Sequence, residues 1–204
     1  QRPVSPVILK ITAEQGKAAG ETGRWVKVTD VPYEMHRYCA MHATGSSINL
    51  LGGEDQSHTP TNHVSMFSFA DKQWKSSTHR LVRSLSPLPG RSAYASIVRC
   101  DGSLFIVGGG QGVFFRQAAD GMWMRASRPS VPGLSDSVAC TLSRDCIAIV
   151  GITTCIVYDV VTQEVHPLPL CSIGAYRKSL ALFNDCLVVR CAKVGQVWKL
   201  DLDV

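Results

Sequence analysis

The sequence predicts an all-β fold, a β-propeller in which small antiparallel sheets repeat along the chain, and three observations lead to it. A degenerate repeat returns after about 40 to 50 residues, which is the period of propeller blades. Each copy has an apolar strand, a second strand that ends in or near glycine, a third strand and a Trp-type strand. The pattern occurs four times, at residues 37–74, 91–123, 136–165 and 177–204.

The first two copies are the clearest. Their second strands end in Gly52–Gly53 and in Gly108–Gly110, and a strand with Trp74 or Trp123 follows. Glycine lets the backbone leave a strand with positive φ and lets neighbouring chains approach closely. A Trp has a large apolar area that packs well between adjacent sheets. We therefore expect both features to serve contacts between successive copies.

The other copies carry weaker versions of the same signals. The third has a turn at Tyr158–Asp159, a single Gly151 and Val165 in place of the Trp, and the fourth has Cys191–Ala192 in place of the glycines. Together these units resemble the kelch repeat, in which a Gly-Gly doublet ends the second strand and a Tyr-Asp turn precedes a Trp. The resemblance covers about residues 24 to 204 and implies a kelch-type β-propeller. The alternative is an unrelated antiparallel sandwich with chance glycines.

The repeats also suggest the domain boundaries and a way to close the ring. Residues 1–23 are expected to be an N-terminal arm or linker, and residues 24–204 the propeller. Trp25 lies about 49 residues before Trp74, and the last copy ends just after its third strand. We therefore expect the strand at 24–32 to complete the last of four blades, which would remove an exposed sheet edge. The alternative is that the chain is part of a larger propeller.

The composition of the chain indicates which cellular compartment and which cofactors to expect. No apolar run approaches the length of a membrane span, about 20 residues. The chain has 8 cysteines, mostly in apolar strands and without a CxxC pair, which favours reduced thiols over disulfides or zinc. We expect an intracellular protein, cytoplasmic first, with the mitochondrial matrix as the alternative because the chain does not begin with Met. No cofactor, metal site or membrane partner is expected, although His58 and His63 share a polar loop.

The chain is mildly basic, and its basic residues are scattered along the sequence. The formal net charge of +5 and the pI near 8.8 suit acidic protein partners or an RNA-rich assembly. Only 7% of the residues are aromatic, and no alternation of basic and aromatic residues indicates a surface on which bases stack. We therefore do not expect a dedicated nucleic-acid site.

Arginine and tyrosine recur in the lead-in segments, which we define as the residues just before each first strand. The candidate partner-binding residues are Arg37, Tyr38, Arg91, Tyr94, Tyr176 and Arg177. The kelch resemblance implies that these segments open towards the central channel on the partner-binding face. Arginine binds a carboxylate with two hydrogen bonds, and tyrosine offers contact area together with a hydroxyl. We expect these residues to bind an acidic segment of a partner; the alternative is that the arginines pair with nearby acids or stay solvated.

The predicted function is that of a non-catalytic protein–protein interaction module. The alternative is an accessory structural subunit of a large assembly, such as a mitochondrial ribosome, an RNA-processing complex, or a cytoskeletal or ciliary complex. An enzyme is the remote alternative, because no GxSxG, HExxH, Walker or GxGxxG motif in its proper context occurs. The copper oxidases that share the repeat need converging His ligands, and the spacing of His36, His42 and His79 does not enforce that. No catalytic residue and no small-molecule substrate are expected.

Overall fold

The structure is a computed structural model that describes residues 7–12, 24–31, 38–44, 46–77, 86–109, 112–125, 133–135, 137–170, 178–183, 186–191 and 197–202. These ranges contain β-strands and no helix, which confirms the all-β prediction. It follows that the same ranges hold no helix that is long and apolar enough to cross a membrane. The chain divides into two compact units, Gln1–Met35 and His36–Val204.

The first unit contains β1 (Val7–Thr12) and β2 (Arg24–Asp30), which pair antiparallel in a two-stranded sheet. The register shifts between Ile8 and Leu9. The described partner of β2 is β1, and the expected pairing of this strand with the last repeat stays a prediction. Residues 13–23, around the expected end of the arm, lie outside the described residues.

The second unit contains four antiparallel sheets, which we number 1 to 4 in chain order. Sheet 1 consists of β3 (Ala40–Ala43), β4 (Ser47–Leu51), β5 (Val64–Ser68) and β6 (Gln73–Ser76). Sheet 2 consists of β7 (Ala95–Cys100), β8 (Ser103–Gly108), β9 (Val113–Gln117) and β10 (Trp123–Arg125). Sheet 3 consists of β11 (Val138–Thr141), β12 (Cys146–Val150), β13 (Cys155–Asp159) and β14 (Val165–Pro167). Sheet 4 consists of β15 (Lys178–Phe183), β16 (Cys186–Cys191) and β17 (Val197–Asp201).

Each sheet is a meander, because its strands pair in chain order. The four strands predicted for a copy are confirmed in sheets 1 to 3, whereas sheet 4 has three strands within the described residues. The first strands of successive sheets are neighbours: β3 contacts β7, β7 contacts β11, and β11 contacts β15. The sheets therefore follow one another in space in the order in which they follow one another along the chain.

Aspartates form the turns that lead into the fourth strands, as the sequence predicts. The Asp159 carboxylate accepts the N–H groups of Val161 at 2.8 Å and Thr162 at 2.9 Å, and these bonds lower the pKa of Asp159. The Asp120 carboxylate accepts the Met122 N–H at 3.0 Å. Such side-chain bonds replace the backbone pairing that a tight turn gives up.

Apolar side chains hold successive sheets together face to face. Between sheets 1 and 2 lie Leu51, Val64, Ile106, Phe115 and Trp123; between sheets 2 and 3 lie Phe105, Phe114, Ile147, Ile149 and Tyr158; and between sheets 3 and 4 lie Val150, Cys155 and Val189. Each fully buried large apolar side chain contributes about 1.5 to 3 kcal/mol. Trp123 is 6% exposed, so the predicted packing of a Trp between sheets is confirmed there. Trp74 is half-buried and contacts Phe67 of its own sheet, with ring centroids 5.3 Å apart.

The glycine pairs allow the backbones of successive sheets to touch. Gly53 donates its N–H to the Ser92 carbonyl at 2.5 Å, and Gly109 donates to the Ser137 carbonyl at 3.2 Å. Gly108 has a φ of 86°, and a Cβ placed there would collide with the Ser137 carbonyl. The sequence needs glycine at this position for both reasons, the positive φ and the lack of space.

Among the described residues, Cys39, Cys100, Cys140 and Cys146 carry thiols that are not in a disulfide. Burial raises the pKa of the Cys39 thiol to about 11, partly offset by a backbone hydrogen bond, and burial also raises that of Cys140 to about 11. A raised pKa keeps both thiols protonated and unreactive at neutral pH.

The first prediction separates the lack of space at Gly108 from its backbone conformation. Gly121 has nearly the same φ, 85° against 86°, but nothing lies within 4 Å of a Cβ added there. We expect Gly121→Ala to lower the free energy of unfolding by about 1 to 2 kcal/mol, the cost of a left-handed non-glycine residue. Gly108→Ala should cost about 1 to 3 kcal/mol more because the added carbon overlaps the next sheet. Equal losses for the two variants in urea unfolding would contradict this contact.

The second prediction concerns thiol reactivity. A rise in pKa from 9.0 to about 11 lowers the thiolate fraction at pH 8 about 100-fold. The reaction slows accordingly, because the thiolate is the reactive form. We expect Cys39 and Cys140 to react with iodoacetamide about 100-fold more slowly in the native chain than in urea. Timed alkylation with peptide mass spectrometry measures both rates. Native rates equal to those in urea would show that these thiols are not buried.

Candidate interaction surface at the lead-in segments

The structure describes half of the residues proposed for partner binding. Tyr38, Arg91 and Tyr94 lie in described ranges, whereas Arg37, Tyr176 and Arg177 lie outside them. The expected ring of arginines and tyrosines therefore stays a prediction. What the structure shows is the surface formed by the lead-in segments of sheets 1 and 2.

Tyr38 and Tyr94 stack on each other across the boundary between these two sheets. Their ring centroids are 4.4 Å apart and the ring planes differ by 23°. Such a pair contributes about 0.5 to 1.5 kcal/mol beyond the area it buries. The side chains nevertheless stay open to solvent, Tyr38 at 39% and Tyr94 at 37%. The stack is thus a rigid aromatic platform that a partner can still cover.

The backbone holds both tyrosines in an unusual conformation. Tyr38 has a φ of 60° and Tyr94 a φ of 62°, a left-handed region in which residues other than glycine are uncommon. The Tyr94 N–H donates to the Tyr38 carbonyl at 3.0 Å, which ties one lead-in segment to the other. Strain of about 1 to 3 kcal/mol per residue persists only where surrounding contacts impose it, and such residues cluster at functional sites.

Arg91 lies three residues before Tyr94 in the same lead-in segment, on a fixed backbone. Its neighbour Ser92 is 2% exposed, donates its N–H to the Thr61 carbonyl at 2.8 Å and accepts the Gly53 N–H. The Arg91 side chain itself is exposed. None of the ion pairs formed within the described ranges involves it. Its guanidinium therefore faces solvent from an anchored position.

The loop between β4 and β5 supports the lead-in segment of sheet 2, a role that the sequence alone did not predict. The Asp55 carboxylate accepts the N–H groups of Ser57 at 2.8 Å and Thr59 at 3.0 Å, so the loop folds on itself. Thr61 then pairs with Ser92 as an isolated bridge. The loop thus supports the segment that carries Arg91. The sequence offered one signal for this, the Asp-x-Ser-x-Thr spacing that is typical of side-chain-capped turns.

The two histidines of this loop, His58 and His63, belong to no three-residue cluster of metal-binding side chains within the described residues. His58 places Nδ1 3.4 Å from the Glu54 carboxylate. Over the described ranges as a whole, no group of three or more His, Cys, Asp or Glu side chains is placed to hold a metal ion.

Sheet 3 presents a different lead-in segment. Ser137, directly before β11, is 0% exposed and donates its hydroxyl to the Leu134 carbonyl at 2.6 Å. Its carbonyl accepts the Gly109 N–H, so this residue serves the contact with sheet 2. In the described part of the chain, the exposed aromatic and basic residues of the lead-in segments therefore come from sheets 1 and 2.

This surface has two chemical features that a peptide-binding site needs, aromatic contact area and a donor group for a carboxylate. The stacked rings offer apolar area and hydroxyls with little conformational entropy to lose, and Arg91 offers a fork of donors that fits a carboxylate. The comparison with known proteins adds nothing to this geometry. No model of a known protein family matches the chain, and no curated protein is significantly similar to it.

Proposed function

We propose that the chain is a kelch-like β-propeller that acts as a protein-interaction module without catalysis of its own. The partner binds at the lead-in segments of sheets 1 and 2, through an acidic segment. The single observation that carries this proposal is the exposed, stacked pair of Tyr38 and Tyr94, and the exposed Arg91 lies in the same lead-in segment as Tyr94. The propeller arrangement is supported by the serial packing of sheets 1 to 4 through separate apolar clusters.

The energetics favour recognition over a purely structural role for these residues. A structural aromatic pair is normally buried, whereas more than a third of each tyrosine remains exposed here. Two left-handed tyrosines cost free energy that an Asn or Gly at the same positions would avoid. The arrangement is therefore explained better by a partner that covers the rings than by the stability of the isolated chain.

The accessory-subunit alternative is favoured by a second observation. Large apolar side chains are exposed on sheets 3 and 4 and the segment between them, among them Val161 at 61%, Leu170 at 65% and Val197 at 64%. Exposed apolar side chains of this kind favour a covering subunit if they form one continuous patch. An assembly subunit and an interaction module are compatible, since the two surfaces are formed by different sheets.

The third prediction tests the lead-in surface with matched variants. Arg91→Ala removes the guanidinium of the lead-in segment that carries Tyr94, and Arg125→Ala removes another exposed guanidinium, from the outer strand of sheet 2. A charge-assisted hydrogen bond contributes about 1.5 to 3 kcal/mol, so its loss should weaken partner binding roughly tenfold or more. Tyr94→Asn should have a similar effect, because Asn tolerates the left-handed backbone but cannot stack. Affinity purification with quantitative mass spectrometry compares the yield of each captured protein.

The expected result is a set of partners that Arg91→Ala and Tyr94→Asn both lose and that Arg125→Ala retains. The melting temperature of each variant serves as the control for folding. Unchanged partner yields for both lead-in variants would show that recognition lies elsewhere on the chain.

A further inference from the structure

Arg116 occupies a position at which the other sheets have an apolar or aromatic side chain. It is the fourth residue of its third strand, β9. The fourth residues of β5, β13 and β17 are Phe67, Tyr158 and Leu200. Phe67 and Tyr158 are buried, at 3% and 4% exposed, whereas Arg116 is exposed. Sheet 2 therefore has a charged group where packing alone favours an apolar residue.

The guanidinium of Arg116 is held in place, but no contact neutralises its charge. Its Nη2 donates to the Ser103 hydroxyl at 3.2 Å, and its Cζ lies 5.7 Å from the centre of the Phe105 ring. None of the ion pairs formed within the described ranges involves Arg116. A guanidinium has five N–H donors, so the donors that do not bind Ser103 are open to a ligand.

A cleft of about 600 Å³ lies over this guanidinium, at one end of sheet 2. Its walls are the turn at residues 101–102, which joins β7 to β8, and the turn at residues 118–121, which joins β9 to β10. Arg116 and Ser103 line it between the two turns. Clefts that bind small molecules have volumes of about 300 to 1,000 Å³, so this one is large enough for such a ligand.

Hydrogen bonds fix both walls of the cleft. Asp101 has a φ of 44°, and its N–H donates to the Arg144 carbonyl of sheet 3 at 2.6 Å. In the other turn, Gln117 Nε2 donates to the Gly121 carbonyl at 3.1 Å. A cleft whose walls are already ordered binds its ligand with a smaller loss of conformational entropy.

The groups that line the cleft favour a single negative charge joined to an apolar body. A carboxylate accepts two parallel hydrogen bonds from an arginine. The Asp101 carboxylate lines the same cleft and repels a doubly charged phosphate more strongly than a carboxylate. Met124, which is 51% exposed, together with Leu104 and Ala119, supplies apolar wall area. A methionine thioether also makes favourable contacts with aromatic rings.

We propose that this cleft binds a small organic monocarboxylate, with the carboxylate on Arg116 and the apolar part against Met124. The Ser103 hydroxyl accepts from Arg116 and can still donate its own proton to the ligand. The cleft follows the last residue of β7, whereas Arg91 and Tyr94 precede its first residue. The site is therefore separate from the lead-in surface and does not depend on the function proposed for it.

The fourth prediction is tested by NMR titration of the ¹⁵N-labelled full chain with three probes: phenylacetate, its uncharged amide phenylacetamide, and inorganic phosphate. We expect phenylacetate to shift the amide signals of residues 101–104 and 116–121 in a saturable way. Phenylacetamide should bind at least about tenfold more weakly, because it lacks the charge that Arg116 pairs with. Phosphate should also bind more weakly than phenylacetate.

Matched variants assign the binding to Arg116. Arg116→Leu introduces the residue that sheet 4 has at this position and should weaken phenylacetate binding at least about tenfold. Arg116→Lys keeps the charge without the two-pronged geometry and should fall between wild type and Arg116→Leu. Arg125→Ala, which removes an exposed arginine of the same sheet that does not line the cleft, should bind as wild type does. The melting temperature of each variant is the control for folding.

Four outcomes would overturn the proposal. They are no saturable shift with phenylacetate, equal binding of phenylacetate and phenylacetamide, phosphate binding as tight as that of phenylacetate, and equal affinities of wild type and Arg116→Leu for phenylacetate. The first three are measured on the wild-type chain, so they decide the matter even if Arg116→Leu does not fold.

Discussion

Two backbone hydrogen bonds, from Gly53 to Ser92 and from Gly109 to Ser137, set the distance at which the repeats pack. Both join the end of a second strand to the lead-in segment of the next sheet. Glycine makes them possible, because a side chain at Gly52 or Gly108 would occupy the space of the opposing serine carbonyl. Ser92 and Ser137 are almost completely buried, so these contacts form in a region with little water and are correspondingly strong.

The apolar core and the candidate surface both follow from this spacing. Once the sheets touch, side chains of one sheet fill the gaps of the next, and interiors packed to this density leave few voids. The same contact fixes the segment from Arg91 to Tyr94 and brings Tyr94 within stacking distance of Tyr38. The surface is thus built on rigid elements, which is what precise recognition requires.

Among the described residues, the apolar cluster between sheets 3 and 4 is smaller than the one between sheets 2 and 3. It has three buried members, against twelve. Sheet 2 has two glycines, Gly108 and Gly109, at its contact with sheet 3. At the end of its own second strand sheet 3 has the single Gly151, whose closest described neighbours include Ser137 and Gly133. The loss of the glycine doublet and the exposure of β17 therefore occur in the same part of the molecule.

The sequence predicts the strands well because their signals are local. Alternating apolar residues, glycine at the strand end and aspartate in the turn identify the strands of sheets 1 to 3 without knowledge of the fold. The pairing of Val7–Thr12 with Arg24–Asp30 was missed because a Pro-rich, Gly-rich context masked a short apolar strand. The Tyr38–Tyr94 stack joins residues 56 positions apart in sequence, and its geometry depends on how closely two sheets approach. Sequence patterns marked both tyrosines but carried no information on that distance.

Residue-resolved amide hydrogen exchange tests the central claim, that glycine-to-serine contacts join the repeats into one cooperative structure. Amides that open only with global unfolding are protected to the full free energy of unfolding, whereas loop amides exchange through local opening. We predict that the N–H groups of Gly53 and Gly109 are as protected as those of the buried strands β8 and β12. Exchange of these two amides at the rate of the exposed turn at Gly121 would show that the sheets are held together in another way.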